Sequence, residues 1–269
     1  MNKSAILLIF LLIPLSLSAF DLQYPEYGEI LSEYTNEGLV CYRELKCDLC
    51  PLRSFLCEAA AVTREQYCSW SGEDRAAFLI NLYNAQALYM VACNYPIWGI
   101  CRLGTMMQSI FEMPTICLFG RRISMFQLEC KLFDEYGDPR VFFALSPATL
   151  GGGPLRSEPY IGSELDDQLE DQAATFMRNR AKQYLEPCVC AVYISPIFYW
   201  QKSRFDCSYG SVWAFIRPYF REEWCTEVYP PCWRIRSSRY DWMLNDWCRC
   251  LGHAYAAEGE PDPNCKEAY

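Results

Sequence analysis

The sequence predicts a mixed α/β protein, rich in helices around a small sheet, with a buried central helix in a single disulfide-stapled domain. Three observations predict it. Residues 74–93 hold apolar side chains nearly all the way round a helical projection, as in Ala77, Phe78, Ile80, Leu82, Ala85, Leu88 and Val91, so this helix is buried rather than laid on a surface. Helical patterns alternate with two strand-like runs, residues 140–146 and 188–194. Seventeen cysteines follow a short apolar N-terminal leader, which in an exported chain reads as disulfides rather than thiol or metal chemistry.

The 269 residues, 52% hydrophobic and 16% aromatic, suffice for a sizeable core. Formal net charge is −9. With Lys3 in the leader, a mature chain carries 23 basic against 33 acidic residues, or −10. That balance argues against nucleic acid and anionic membrane surfaces as partners. Residues 1–19 read as a signal peptide: Lys3, an apolar run from Ala5 to Leu15 broken by Pro14, then Ser16, Ser18 and Ala19 before the cleavage site. Phe20 stands where a lipid-anchored bacterial protein would need cysteine. No later stretch reads as long and apolar enough to span a membrane. The protein is therefore expected to be exported, periplasmic or extracellular, with no transmembrane anchor after cleavage.

The expected domain covers 20–247, and 248–269 form an acidic tail with cysteines. Ile30, Leu31 and Tyr34 have helical spacing, ended by Asn36-Glu-Gly38. Leu39 to Tyr42 is a short extended piece, and 47–70 read as helices between cysteines. Ser71-Gly-Glu-Asp74 caps the central helix, and Asn94-Tyr-Pro96 stops it. Residues 97–113 are apolar and suggest a helix or two. Residues 115–124 read as a hairpin about Gly120-Arg121. Ser124 and Gln127 form a capping box opening a helix that carries Glu129. Arg140 to Ser146 is predicted as a buried strand, followed by a flexible loop at Gly151-Gly-Gly153. Ser163 caps a helix from Glu164 to about Tyr184, Cys188 to Ile194 is a second strand, and Ser211 starts a helix to about Phe220.

Four stretches, in order, resemble one family, the domain of unknown function 547, found in exported bacterial proteins and in plant proteins. They are Leu39-Val-Cys-Tyr42; Ala77-Phe-Leu-Ile-Asn-Leu-Tyr-Asn-Ala85; the hairpin through Asp138-Pro-Arg-Val-Phe-Phe-Ala-Leu145 to Pro154-Leu155; and Ser195-Pro-Ile-Phe-Tyr-Trp200 with Asp206 and Tyr240-Asp-Trp-Met-Leu-Asn245. The resemblance implies a family and a compartment, and no reaction. This chain departs from it at three places. Phe142 stands where the family usually has histidine, Cys130 where it has the histidine of Glu-His, and Gly151–Gly153 where it often has a Ser-Cys-Pro turn. A cysteine nucleophile with a histidine base would suit the family pattern, and this chain has lost both from the positions that would carry them.

Asn81 and Asn84 are three residues apart and share a helix face. A buried amide pair is either a structural clamp or the wall of a polar pocket. Pocket candidates are Asn81, Asn84, Glu129 and Arg140. The catalytic candidates are Glu129 and Asn84, since acid–base work without histidine falls to carboxylate, Tyr or Cys. The plainer account leaves Glu129 an exposed helix residue or a partner of Arg140, makes Asp138-Pro-Arg140 a turn with an ion pair, and has Asp241 and Asn245 tie their segment to the core. His253, the only histidine, lies away from every matched stretch. Gly151–Gly153 could present amides to an anion but reads more simply as a loop. Phe198-Tyr-Trp200 reads as core. Cys47-Asp-Leu-Cys50 has redox spacing but no strand leading into it, and the Cys-x-Cys pairs do not suit zinc.

Disulfide candidates are Cys41, Cys47, Cys50, Cys57, Cys68, Cys188, Cys190, Cys207, Cys225, Cys232, Cys248, Cys250 and Cys265. The odd total leaves at least one cysteine either unpaired or bonded to another chain. No metal or cofactor is expected, and the partner is an unspecified protein or small molecule. The leading expectation is a non-catalytic or degenerate member acting in binding or envelope structure. The alternative is a hydrolase or transferase in which Asn84, Glu129 and Arg140 converge on a concave site.

Overall fold

The computed structural model describes residues 19–220 and 234–247. The signal peptide apart from Ala19, the tail, His253, and cysteines 225, 232, 248, 250 and 265 lie outside the described residues. The fold is mixed α/β, helix-rich, with small sheets.

Helix α1 (Pro25–Tyr34) leads into a two-stranded ribbon, β1 (Thr35–Asn36) and β2 (Leu39–Val40), closed by Gly38 at φ 83°. The turn α2 (Tyr42–Leu45), then α3 (Cys50–Ala61) and α4 (Arg64–Cys68), follow. The central helix α5 runs Gly72–Asn94, its first turn fixed by the Ser71 hydroxyl accepting from the Asp74 amide. One cluster of buried apolar residues runs from Tyr24 to Leu244 around it. This helix corrects one expectation: by length and composition it could cross a membrane, but it is mostly buried inside the protein.

Residues 97–113 hold one 3-10 turn, Ile100–Leu103, rather than a helix or two. Strands β3 (Ile116–Leu118) and β4 (Arg121–Ile123) form the expected hairpin. Helix α6 (Met125–Tyr136) opens with the Ser124–Gln127 capping box, both bonds formed. The run Arg140–Ser146 is not a strand. It is a helical turn, α7 (Val141–Ala144). An apolar run of this length does not distinguish a strand from a buried helical turn. Asp138-Pro139 decides it, because the Asp138 side chain accepts from the Arg140 amide and its carbonyl accepts from Val141.

Helix α8 (Leu165–Arg178) stops six residues short of Tyr184, which instead opens β5 (Tyr184–Glu186). The second predicted strand shortens to β6 (Ala191–Ile194), antiparallel to β5 and parallel to β7 (Arg234–Ser237). Between β6 and β7 lie α9 (Ile197–Trp200), α10 (Lys202–Tyr209) and α11 (Val212–Ile216), the last extended by a 3-10 turn, Arg217–Phe220.

No disulfide joins any two of the twelve described cysteines, so the stapled exterior predicted from sequence is not seen there. Cys47, Cys50, Cys57, Cys68, Cys93, Cys117, Cys188 and Cys207 are exposed, with Cys50 and Cys57 together on α3 and the others spread along the chain, and Cys41 is buried.

Candidate functional site

The four predicted pocket residues do not converge. Asn81 and Asn84 are 1% and 3% exposed and act as backbone clamps. The Asn81 amide donates to the Tyr160 carbonyl at 2.8 Å and accepts from the Tyr160 amide at 2.9 Å. Asn84 donates to the Ala144 carbonyl at 3.0 Å and accepts from the Ser146 amide at 2.8 Å. Each side chain thus pairs a donor and an acceptor of the irregular segment 144–161, as a neighbouring strand would. From the other side, Gln168 of α8 accepts from Ile161 and donates to Pro159, while Gln172 donates to Phe143 and Pro154. Four amides from two helices hold one loop.

Arg140 pairs with Asp138, Asp166 and Glu170, the last two exposed. The Asp138-Pro-Arg140 turn with its ion pair is present, but Glu129 is neither Arg140's partner nor an exposed helix residue. Asn245 accepts from the Tyr42 hydroxyl and donates to the Gly38 carbonyl, which ties residues 240–246 to the ribbon. The three glycines are buried and closely packed rather than an open surface loop. The Gly151 amide donates to Asp241 and that of Gly152 to Thr149, so neither is turned to an anion. A Cβ on Gly153 would lie 1.9 Å from the Phe143 carbonyl oxygen, and one on Gly152 2.5 Å from Pro147.

Glu129 is different. It is 8% exposed on the inner face of α6 and lines a cavity of about 50 Å³. Its Oε1 accepts from Gln201 Nε2 at 2.8 Å, and its other oxygen has no hydrogen bond among the described residues. The Gln201 orientation is dictated, because its own Oε1 takes the Arg204 guanidinium at 2.9 Å and a guanidinium only donates. Arg204 also donates to the Cys130 sulfur and lies over the Phe133 and Phe142 rings at 4.7 and 5.1 Å. Burial pushes the Glu129 carboxyl up to about 7, against the lowering influence of Arg204 and the Gln201 bond. When protonated, its proton belongs on the oxygen away from Gln201.

Most of the remaining wall is aromatic, from Tyr83, Phe111, Phe142, Trp200, Tyr240 and Trp242, completed by Leu145, Pro147, Gly152 and Ile197. Tyr240 and Trp242 sit 4.4 Å apart and Trp200 is 5.0 Å from Tyr240. A larger cleft, about 720 Å³, shares Phe111, Trp200 and Gln201 with this cavity and is rimmed by exposed Phe126 and Tyr199. Beneath the glycine loop, burial pushes the Lys182 ammonium down to about 8 while it donates to the Gly152 carbonyl at 2.5 Å.

Gln201, Arg204, Trp200 and Trp242 were not anticipated as site residues. Ser195-Pro196 is a helix-start signal, and a helix begun there puts Ile197, Trp200 and Gln201 on one face. All three line the cavity, while Phe198 turns into the core and Tyr199 outward. Among the described residues no group of side chains could hold a metal ion.

A family model described as Protein of unknown function, DUF547, matches residues 67–177. The chain resembles that family over this stretch, which contains α5, the hairpin, α6, α7 and the glycine loop. No curated protein and no solved structure matches the chain. Two of the three departures from the family pattern, Phe142 and Gly152, line the Glu129 cavity, and the third, Cys130, contacts Arg204 beside it.

Proposed function

We propose that this protein is an exported, non-catalytic binding member of its family, one that keeps the pocket and has lost the chemistry. The observation that carries this reading is the cavity wall. Around Glu129 stand aromatic rings, aliphatic side chains, a glycine backbone and a glutamine; apart from the phenols of Tyr83 and Tyr240 the described wall carries no other ionisable side chain, and no cysteine, serine or histidine. Histidine at the Phe142 position would displace a ring that stacks on Phe133 at 5.7 Å and supports Arg204. A cysteine in the glycine loop would collide with backbone or with Pro147.

Export accords with the leader and with Phe20, which packs edge-on against Phe78 at 5.3 Å, so a chain cleaved after Ala19 keeps that contact. In an oxidising compartment the exposed thiols would be drawn into disulfides, with the tail cysteines or with other chains. Partners are a small molecule in the pocket and protein chains at the exposed cysteines, not nucleic acid.

The test is a thermal-shift screen of the mature protein against small metabolites, run beside turnover assays on ester, amide and phosphoester substrates. Ligand-dependent rises in Tm without turnover are expected. Turnover abolished by Glu129→Gln would establish instead the hydrolase or transferase reading, which the raised Glu129 favours. Mass-spectrometric thiol counting with and without prior reduction tests export. Fully free thiols in protein recovered from its native compartment would remove the exported, disulfide-bonded part.

A further inference from the structure

We infer that the Glu129 cavity receives the head of a primary alkylammonium ligand whose hydrocarbon body lies in the adjoining cleft. The inference rests on the binding reading above and names its ligand class. Three features carry it. The first is the free carboxyl oxygen of Glu129, on a side chain more than nine-tenths buried, beside the cavity. The second is the ring arrangement: Phe111, Trp200, Tyr240 and Trp242 line the same cavity as that carboxyl, with neighbouring centroids 4.4 to 6.3 Å apart. An anionic oxygen with aromatic faces is the surrounding that favours an ammonium group. The third is size. About 50 Å³ is a third of the roughly 150 Å³ that takes up benzene. The cavity therefore admits a head of a few heavy atoms and excludes a sugar ring or a trimethylammonium group.

The charged surroundings fit this assignment. Arg204 of α10 is the cation nearest Glu129. Its guanidinium is engaged by Gln201 and Cys130 and stacked on two rings, and no ion pair joins it to Glu129 among the described residues. Besides Glu129 the wall holds two phenols, Tyr83 of α5 and Tyr240, the latter bonded to Thr149 and kept neutral by burial. The outer cleft carries one acid and one base, Glu112 and Arg204, so it has no strong preference of its own. Its apolar walls, Phe111, Phe126, Tyr199 and Trp200, suit a hydrocarbon chain.

Trp200 and Trp242 make binding visible as a change in tryptophan fluorescence. The probes are n-butylamine, n-butanol and butyrate, titrated into the mature protein at pH 6, 7 and 8.5. The amine alone should saturate. Its affinity should rise about tenfold from pH 6 to 8.5 as Glu129 ionises. Glu129→Gln should weaken it at least tenfold and flatten the pH profile. Calorimetry of the unaltered protein at pH 7 in two buffers of different ionisation enthalpy should show about half a proton released on binding, a readout that needs no variant. Butanol binding as tightly as butylamine, or binding without proton release, overturns the ammonium assignment and leaves the binding reading standing. A screen in which neither these probes nor any metabolite binds removes both.

Discussion

Two helices present buried polar side chains to the same neighbourhood, and they do opposite things with them. Asn81 and Asn84 of α5 have both ends of each amide engaged by backbone, at 2.8–3.0 Å. Glu129 of α6 has one oxygen engaged and the other beside a cavity. Burial is nearly equal in the three, so burial does not separate structure from function here. What separates them is whether hydrogen-bonding capacity is used up within the fold. A satisfied amide holds a loop, whereas a half-satisfied carboxylate in an aromatic wall retains affinity for something not in the chain.

The comparison breaks most visibly on the α5 side. Asn84→Ala leaves the Ala144 carbonyl and the Ser146 amide unpaired, at about 1–3 kcal/mol each. Chemical denaturation should show a loss of that order, with Asn81→Ala similar through Tyr160. A loss below about 0.5 kcal/mol in both would mean the loop holds itself. Gly153→Ala should cost about 3 kcal/mol by forcing a Cβ onto the Phe143 carbonyl. Little change there would reopen the idea of a flexible loop.

On the α6 side the effect depends on pH. The Glu129 carboxyl rises from its usual value near 4.5 to about 7 in the folded protein. The folded state therefore binds its proton more tightly than the unfolded chain does. That stabilisation is full below about pH 4.5 and is lost as pH rises through 7, by about 3 kcal/mol at 1.36 per unit. Glu129→Gln, which cannot ionise, should match the parent near pH 4.5 and exceed it at pH 8 by up to that amount. Lys182 acts in a separate window, since its lowered value, about 8 against 10.5, adds stability only as pH rises through 8 to 10.5. Denaturation at pH 5, 6, 7 and 8 isolates Glu129. Parallel pH profiles for the two proteins would mean the carboxyl is solvated and the cavity open.

Much of this was legible in the residues, unevenly. The central helix, the hairpin and the Ser124 box carry local signals that the structure repeats, because apolar periodicity and capping act over a few residues. The amide pair on α5 was readable as buried and polar, but its partners at 144–160 are some sixty to eighty positions away. Spacing alone left clamp and pocket open. The run at Arg140–Ser146 misled because its apolar content has no period, and the Asp138-Pro139 start signal was the better guide. Glu129 could be singled out by its match to the family. Its partners Gln201 and Arg204 come from a helix turn hidden inside an aromatic segment that reads as core.

The smallest expected effect is at Arg140, and it is the sharpest control. Its guanidinium pairs with Asp166 at 2.5 Å and Glu170 at 3.3 Å, whose side chains are 80% and 58% exposed, and with the less exposed Asp138. Pairs reaching into solvent are screened and contribute little, so most of its value lies in Asp138 and the α7 turn. Arg140→Ala should cost about 1 kcal/mol, less at 1 M salt than at 0.05 M. It should leave the tryptophan signal of ligand binding untouched, because Arg140 touches neither the cavity nor the residues that orient Glu129. Were ligand affinity to fall with Arg140→Ala while Asn84→Ala spared it, α7 would be a conduit into the pocket. The division between a satisfied scaffold and an unsatisfied site would then run through a different helix.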